Sequence, residues 1–268
     1  MQHIRAQGLR FVDEQGRERI FRGVNACEKD VAEEEKSYDR FCLNLDDAFF
    51  LRCNALGFNV IRLGLCWEIL EPEKGKFNEA YLRSVDEIFR RAAQYGVYIF
   101  LDMHQDLYSS FGINCGDGAP LWATLTDGYR AKPAKLVWAE GYFWGKAVQR
   151  AFDHFWNNDP VQGLGLQEHF AGLWQMLARR YAGQPAFFGF DLFNEPYPGT
   201  EGGRVFRRMI ARLLRYALTS PQMHRIKFLK ALFAKGDKAK ALHFLARRML
   251  REVTSAADGL IRKFDLER

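Results

Sequence analysis

The 268-residue sequence predicts an α/β fold built on parallel strands. Three observations carry that prediction. Short apolar runs rich in β-branched and aromatic residues alternate with longer segments of helical period. The first three strand–helix units recur at spacings of about 40 residues, the length a parallel crossover needs. Finally, the run Phe187-Phe-Gly-Phe-Asp-Leu-Phe193 ends abruptly in Asn194-Glu195-Pro196. Parallel folds collect their reacting groups at such carboxyl ends of strands.

In chain order, a small hairpin at Leu9-Arg-Phe-Val12, with a turn at Asp13-Glu-Gln-Gly16, precedes a first strand over residues 19–25. Residues 46–56 carry Phe49, Phe50, Cys53 and Leu56 at helical spacing, closed by Gly57. Phe58-Asn-Val-Ile-Arg-Leu63 is the second strand. A helix opens at Asn78, aligns Tyr81, Leu82, Val85, Ile88, Phe89 and Ala92 on one face, and stops at Gly96. Val97-Tyr-Ile-Phe-Leu-Asp102 is the third strand. Residues 103–165 hold Gly, Trp, Tyr and Pro without a clear period, so a long lid or binding loop is expected there. It begins directly after the third strand, on the same side as Glu195. A helix over 166–181 then leads to the fourth strand, 187–193. Beyond Gly203 the pattern is helical only, over 205–218 and again over 223–264 with a break near Gly236-Asp237. One domain is expected across 1–268, its last part (204–268) helical and basic.

Composition narrows the function. The 23 Phe are mostly core material, although sugar and lipid sites also use exposed rings as platforms. No run reaches the ~18 apolar residues of a membrane span. The opening Met1-Gln-His-Ile-Arg5 lacks the apolar core of a leader. A cytoplasmic location is therefore expected for the chain as given, and a secreted one if its start was trimmed. Cys27, Cys42, Cys53, Cys66 and Cys115 are odd in number and form no CxxC pair, which supports neither a zinc knuckle nor a disulfide framework. Cys53 and Cys66 read as reduced, apolar filler. The net charge of +6 belongs to the tail: residues 204–251 hold 14 Lys and Arg against Asp237 alone. This basic segment reads as solvated helix faces, as a surface for anionic membrane lipid, or as a contact for a missing acidic segment. No motif accompanies it that would suggest nucleic acid.

The polar residues at strand ends are of compatible kinds. Glu195 is placed for general acid/base work and Asn194 for holding a hydroxyl. The alternative is a strand that simply exits through a helix cap. Arg62 interrupts an apolar strand and must meet a carboxylate. The third strand ends in Asp102-Met-His-Gln-Asp106, bringing His104 and Asp106 to the same rim, and the first ends at Asn25 with Lys29 just beyond. Asp102, His104 and Asp106 also read, more weakly, as metal ligands. A glycosidase needs this equipment: one carboxyl to protonate the leaving oxygen, and donors to hold hydroxyls and an anionic partner carboxylate.

Several stretches, in order, resemble the endoglycoceramidase-type branch of glycoside hydrolase family 5, which are retaining (β/α)8-barrel glycosidases. They are Arg22-Gly-Val-Asn25, Gly57-Phe-Asn-Val-Ile-Arg-Leu-Gly64 with Trp67-Glu68, and Glu71-Pro-Glu-Lys-Gly-Lys-Phe-Asn78. Tyr95-Gly-Val-Tyr-Ile-Phe-Leu-Asp-Met-His-Gln-Asp106, Gly116-Asp-Gly-Ala-Pro-Leu-Trp122 and Asn194-Glu-Pro196 follow. The resemblance implies a TIM-barrel glycosidase fold with no cofactor and no metal. It also implies Glu195 as acid/base, Asn194 on the sugar 2-hydroxyl, and His104 and Arg62 organising the site around a nucleophile. Asp106 and Lys29 would contact hydroxyls, and Trp122, Trp138 or Trp144 would form a stacking wall.

The same resemblance calls for eight strands and a second catalytic glutamate on the seventh. The fourth strand ends near residue 193, and Leu260-Ile-Arg-Lys-Phe-Asp265 resembles the helix end before the fifth. The expectation is thus a barrel truncated after about four βα units, without its nucleophile. The implied function is hydrolysis of a glycolipid or other β-glucoside, with glycosylceramide first and a steryl β-glucosidase or cellulase-like endoglucanase as neighbours. The competing class is a non-catalytic half-barrel that binds glycan or lipid. Open sheet edges are expected to recruit a missing barrel half or a second copy.

Overall fold

The computed structural model describes residues 1–27, 43–111, 116–130, 134 and 137–219. They fall into two compact units, Met1–Gly199 and a second that begins at Thr200.

In the first unit, β1 (Arg5–Gln7) and β2 (Arg10–Val12) form an antiparallel hairpin. The expected segment 9–12 is thus the second strand of this hairpin. The turn after it closes as expected, the Asp13 carboxylate accepting from the backbone N–H groups of Gln15 and Arg17. β3 (Gly23–Cys27) starts later than the predicted 19–25. In α1 (Asp47–Ala55) the Asp46 side chain caps the first turn by accepting from the Phe49 N–H at 2.9 Å, and Phe50 and Cys53 are buried. β4 (Val60–Cys66) runs directly into the single turn of α2 (Trp67–Leu70). α3 (Glu79–Tyr95) is capped by Asn78 at its start and by Gly96, at φ 70°, at its end. It buries the six residues its period predicted. β5 (Tyr98–His104) follows.

Residues 103–165 depart from the expected irregular loop. A 3₁₀ turn (Leu121–Ala123), α4 (Glu140–Trp144), α5 (Lys146–Trp156) and a ribbon of β6 (Pro160–Val161) and β7 (Leu164–Gly165) occupy them. The face of α5 is Ala147, Val148, Ala151, Phe152 and Phe155, a true helical period. Aromatic residues and Gly145 immediately upstream hide its start. α6 (Leu166–Tyr181) matches its predicted span, and β8 (Phe187–Asp191) ends two residues before the prediction. In the second unit, α7 (Gly199–Thr219) begins earlier than the predicted 205. The predicted helices over 223–264, and with them most of the basic tail, lie outside the described residues. Among the described residues no helix is long and apolar enough to cross a membrane.

The main sheet has the order β3-β4-β5-β8, and every neighbouring pair is parallel. This is the strand–helix succession of the first half of a (β/α)8 barrel. Side chains alternate across it. Ile61, Leu63, Leu65, Ile99, Leu101 and Met103 are all but fully buried on one face. The opposite face carries Arg62, Gly64, Cys66, Phe100, Asp102 and His104. Between β5 and β8 the register slips by one residue: Ile99 pairs with Phe187 but Phe100 with Gly189, leaving Phe188 extra. Phe188 packs against Phe21 and Phe11 at ring distances of 4.6 and 5.2 Å. That aromatic cluster lies toward the amino ends of the strands, and the charged residues gather at their carboxyl ends.

Candidate active site

Arg62 is the hub of the charged rim. Its Nε and Nη2 donate to Asp191 Oδ2 at 3.0 and 2.7 Å, and Nη2 also donates to Asn194 Oδ1 at 3.0 Å. The same nitrogen stands 2.8 Å from Asp102 Oδ1. The cost of placing a guanidinium in an apolar strand is offset by these two carboxylates, as the sequence required. Strand register explains the meeting. Asp102 lies opposite Asp191, and Arg62 lies opposite Phe100, two residues before that level on the same face, so its guanidinium reaches toward the carboxyl ends to meet both carboxylates.

His104 ends β5. Its Nδ1 contacts Asp102 Oδ2 at 2.8 Å and its Nε2 lies 3.7 Å from Asp106 Oδ2. Burial pulls the imidazole down, but the carboxylates of Asp102 and Asp106 outweigh it and raise it to about 10. His104 is therefore an imidazolium at neutral pH. Burial pushes the Asp102 carboxyl upward, against the opposing pull of His104 and Arg62.

Asn194 and Glu195 follow β8. Asn194 is buried, its backbone N–H donates to Met103 O at 3.0 Å and its side-chain Nδ2 to Gln105 O at 3.1 Å. Glu195 is exposed and its backbone is left-handed, φ 42°. The loop after β5 is pinned by a bridge between Asp106 and Asp117, with the Asp106 N–H also donating to Asp117 Oδ1 at 2.8 Å. His104, Asp106 and Asp117 bring candidate ligand atoms within 4.8 Å of one another. The Nδ1 of His104 is taken by Asp102, and its Nε2 faces the Asp106 carboxylate across 3.7 Å. With Arg62 these groups form a continuous charge network.

The structure thus gathers Arg62, His104, Asp106, Asn194 and Glu195 at one rim. Lys29 lies outside the described residues. Trp122 is half-buried in an aromatic cluster, edge-on to Trp67 at 5.4 Å and to His169 at 5.1 Å, and its indole N–H donates to Glu71 O. Trp144, on α4, and Trp138 just before it are about half exposed. Three participants were missed from sequence: Asp191, Gln105 and Tyr142. Asp191 had a signal, since an aspartate in an apolar strand needs a cation as much as Arg62 needs an anion. The other two have none, because a buried glutamine and a helix tyrosine look like ordinary packing.

Comparison with known proteins places this rim in context. The family model described as cellulase (glycosyl hydrolase family 5) matches residues 12–219. An endoglycoceramidase of Cyanea nozakii is 32% identical over 219 residues, covering 73% of this chain and 42% of that protein. One of Hydra vulgaris is 31% identical over 212 residues, covering 70% and 39%. Endo-glycoceramidase II from Rhodococcus sp., solved as a ganglioside GM3 complex, superposes with a TM-score of 0.61 at 33% identity, over 70% of this chain and 43% of that one. The chain spans about two fifths of the length of the curated relatives it matches. Because the matched span runs from the amino-terminal hairpin through α7 and takes in every member of the charged rim, this chain belongs to the cellulase family of glycosyl hydrolases, family 5.

Proposed function

We propose that the chain carries the acid/base side of a retaining β-glycosidase that cleaves the O-glycosidic bond of glycolipids of the glycosylceramide type. One observation carries the reading. Asn194 and Glu195 leave the carboxyl end of β8 with the amide locked by Arg62 while the carboxylic acid stays exposed. Glu195 protonates the leaving oxygen and later takes a proton from water, and Asn194 holds the sugar 2-hydroxyl. Arg62 and the His104 imidazolium set a positive field where an anionic nucleophile and its glycosyl ester belong. Asp106 receives hydroxyls, as does Lys29 on the strength of the family resemblance, and Trp144 or Trp122 offers a ring face. A retaining reaction also needs a second carboxylate ~5–5.5 Å from that of Glu195. The resemblance assigns it to a seventh strand, outside the four parallel strands described. Lipid linkage is supported by the names of the Cyanea and Hydra relatives and by the ganglioside of the Rhodococcus complex.

Glu195→Gln tests the assignment. Hydrolysis of a fluorescent glucosylceramide should fall by about 10²–10⁴-fold while binding of the lipid persists. Wild-type chain that binds the lipid and never cleaves it would replace the hydrolase reading with that of a glycolipid binder.

A further inference from the structure

We propose that Gln105 is a positioning residue for Glu195, acting through the backbone, with Tyr142 as its brace. The inference rests on the acid/base reading of Glu195. Gln105 is 1% exposed, and every hydrogen-bonding capacity of its amide is used. Nε2 donates to Asn194 O at 2.8 Å and to Glu195 O at 3.1 Å. Oε1 accepts from the Tyr108 N–H at 2.8 Å and from the Tyr142 hydroxyl at 3.3 Å. That hydroxyl in turn accepts from the Leu107 N–H at 2.9 Å.

These contacts coincide with backbone strain. Leu107 (φ 57°), Tyr108 (φ 76°) and Glu195 (φ 42°) are three of the six non-glycine residues with positive φ among the described residues. None of the three has the short polar side chain that lets Asn or Asp adopt that region at little cost. All three are bonded to the Gln105 amide or to the Tyr142 hydroxyl. Strained backbone persists only where its surroundings over-determine it, and here one side-chain pair does so. Room for Gln105 comes from Gly118, at φ 124°, where a Cβ would stand 2.6 Å from Gln105 Cβ. Tyr142 also feels the reacting group: burial first, and the charges of Asp106 and Glu195 with it, push its phenol up to about 12. The amide thus fixes the peptide planes on either side of the Glu195 Cα, and with them the direction in which its carboxyl leaves the chain.

A misplaced acid has a signature that loss of folded protein lacks. In kcat/KM, which reports the step that forms the glycosyl-enzyme, a poor leaving group needs the proton and a good one does not. Gln105→Met in the full chain should therefore lower kcat/KM for phenyl β-glucoside by about 10²-fold and leave 2,4-dinitrophenyl β-glucoside nearly unchanged. Tyr142→Phe, which removes only the hydroxyl, should give the same pattern at smaller size if Gln105→Met folds poorly. Hydrogen exchange read by mass spectrometry should rise at residues 192–198 and stay as in wild type in α3. Equal losses on both glucosides, or unchanged exchange at 192–198, would overturn the proposal. Wild-type chain that cleaves neither glucoside would overturn the glycosidase reading instead, and the exchange result would then decide alone whether Gln105 holds Glu195.

Discussion

The proton on His104 is held from two sides, by Asp102 and Asp106, and this has a consequence for stability. The folded imidazole titrates near 10, against an ordinary value of 6.5. Its charged form therefore contributes stability that is complete below about pH 6.5 and is lost as pH rises through about 10. Asp102 acts in the same sense at lower pH, because its folded carboxyl is also raised. The thermal stability of wild type should consequently fall between about pH 7 and 10, and His104→Gln should flatten that slope. Identical slopes would mean that the imidazole is not charged in the folded chain. At this scale the sequence was legible where a residue's chemistry was out of place: Arg62 in a strand, and Asn194-Glu195 after one. It was silent on Gln105, whose role exists only once residues some 90 positions apart are brought together.

Helices α3 and α6 show which kind of contact joins elements here. Arg180 of α6 grips Asp86 of α3 through two hydrogen bonds of 2.9 and 2.6 Å. Beneath that pair Phe89 stacks on Tyr181 at 4.7 Å with 14° between the rings, and the Tyr181 hydroxyl donates to Leu82 O. The ion pair is partly exposed, so Arg180→Ala should cost about 1 kcal/mol or less. Phe89 is 1% exposed, and Phe89→Ala should cost about 3–5 kcal/mol. Denaturant unfolding of the two variants checks the ordering, and a larger loss from Arg180→Ala would invert it. Both helices were readable in advance because a cap or a glycine bounds a clean period. The region 121–156 was not, since α4 and α5 are short, abut at Gly145 and present aromatic residues on more than one side.

As a whole, the first unit is built on a four-stranded parallel sheet with one face sealed and the other polarised, aromatic at one end and charged at the other. Phe11 is 44% exposed and Phe21, Phe100 and Phe188 are half-buried on that second face. Among the described residues β3 and β8 are the edges of this sheet, and apolar surface and open edges of this kind draw in further chain. Sedimentation of the purified protein should show mass rising with concentration, and a constant monomer mass would refute this. The extra residue at Phe188 bears on the amino end of the strand. A strand has only two phases, and a bulge absorbs the residue that would exchange them. Phe188 is that absorbed residue: Phe187 stays opposite Ile99 and Asp191 falls opposite Asp102 on the face of Arg62, a pairing that would close in the same register without it. Loss of its single codon would leave the arginine its anion and instead take one ring from the cluster of Phe11, Phe21 and Tyr98, a cost in packing and not in charge.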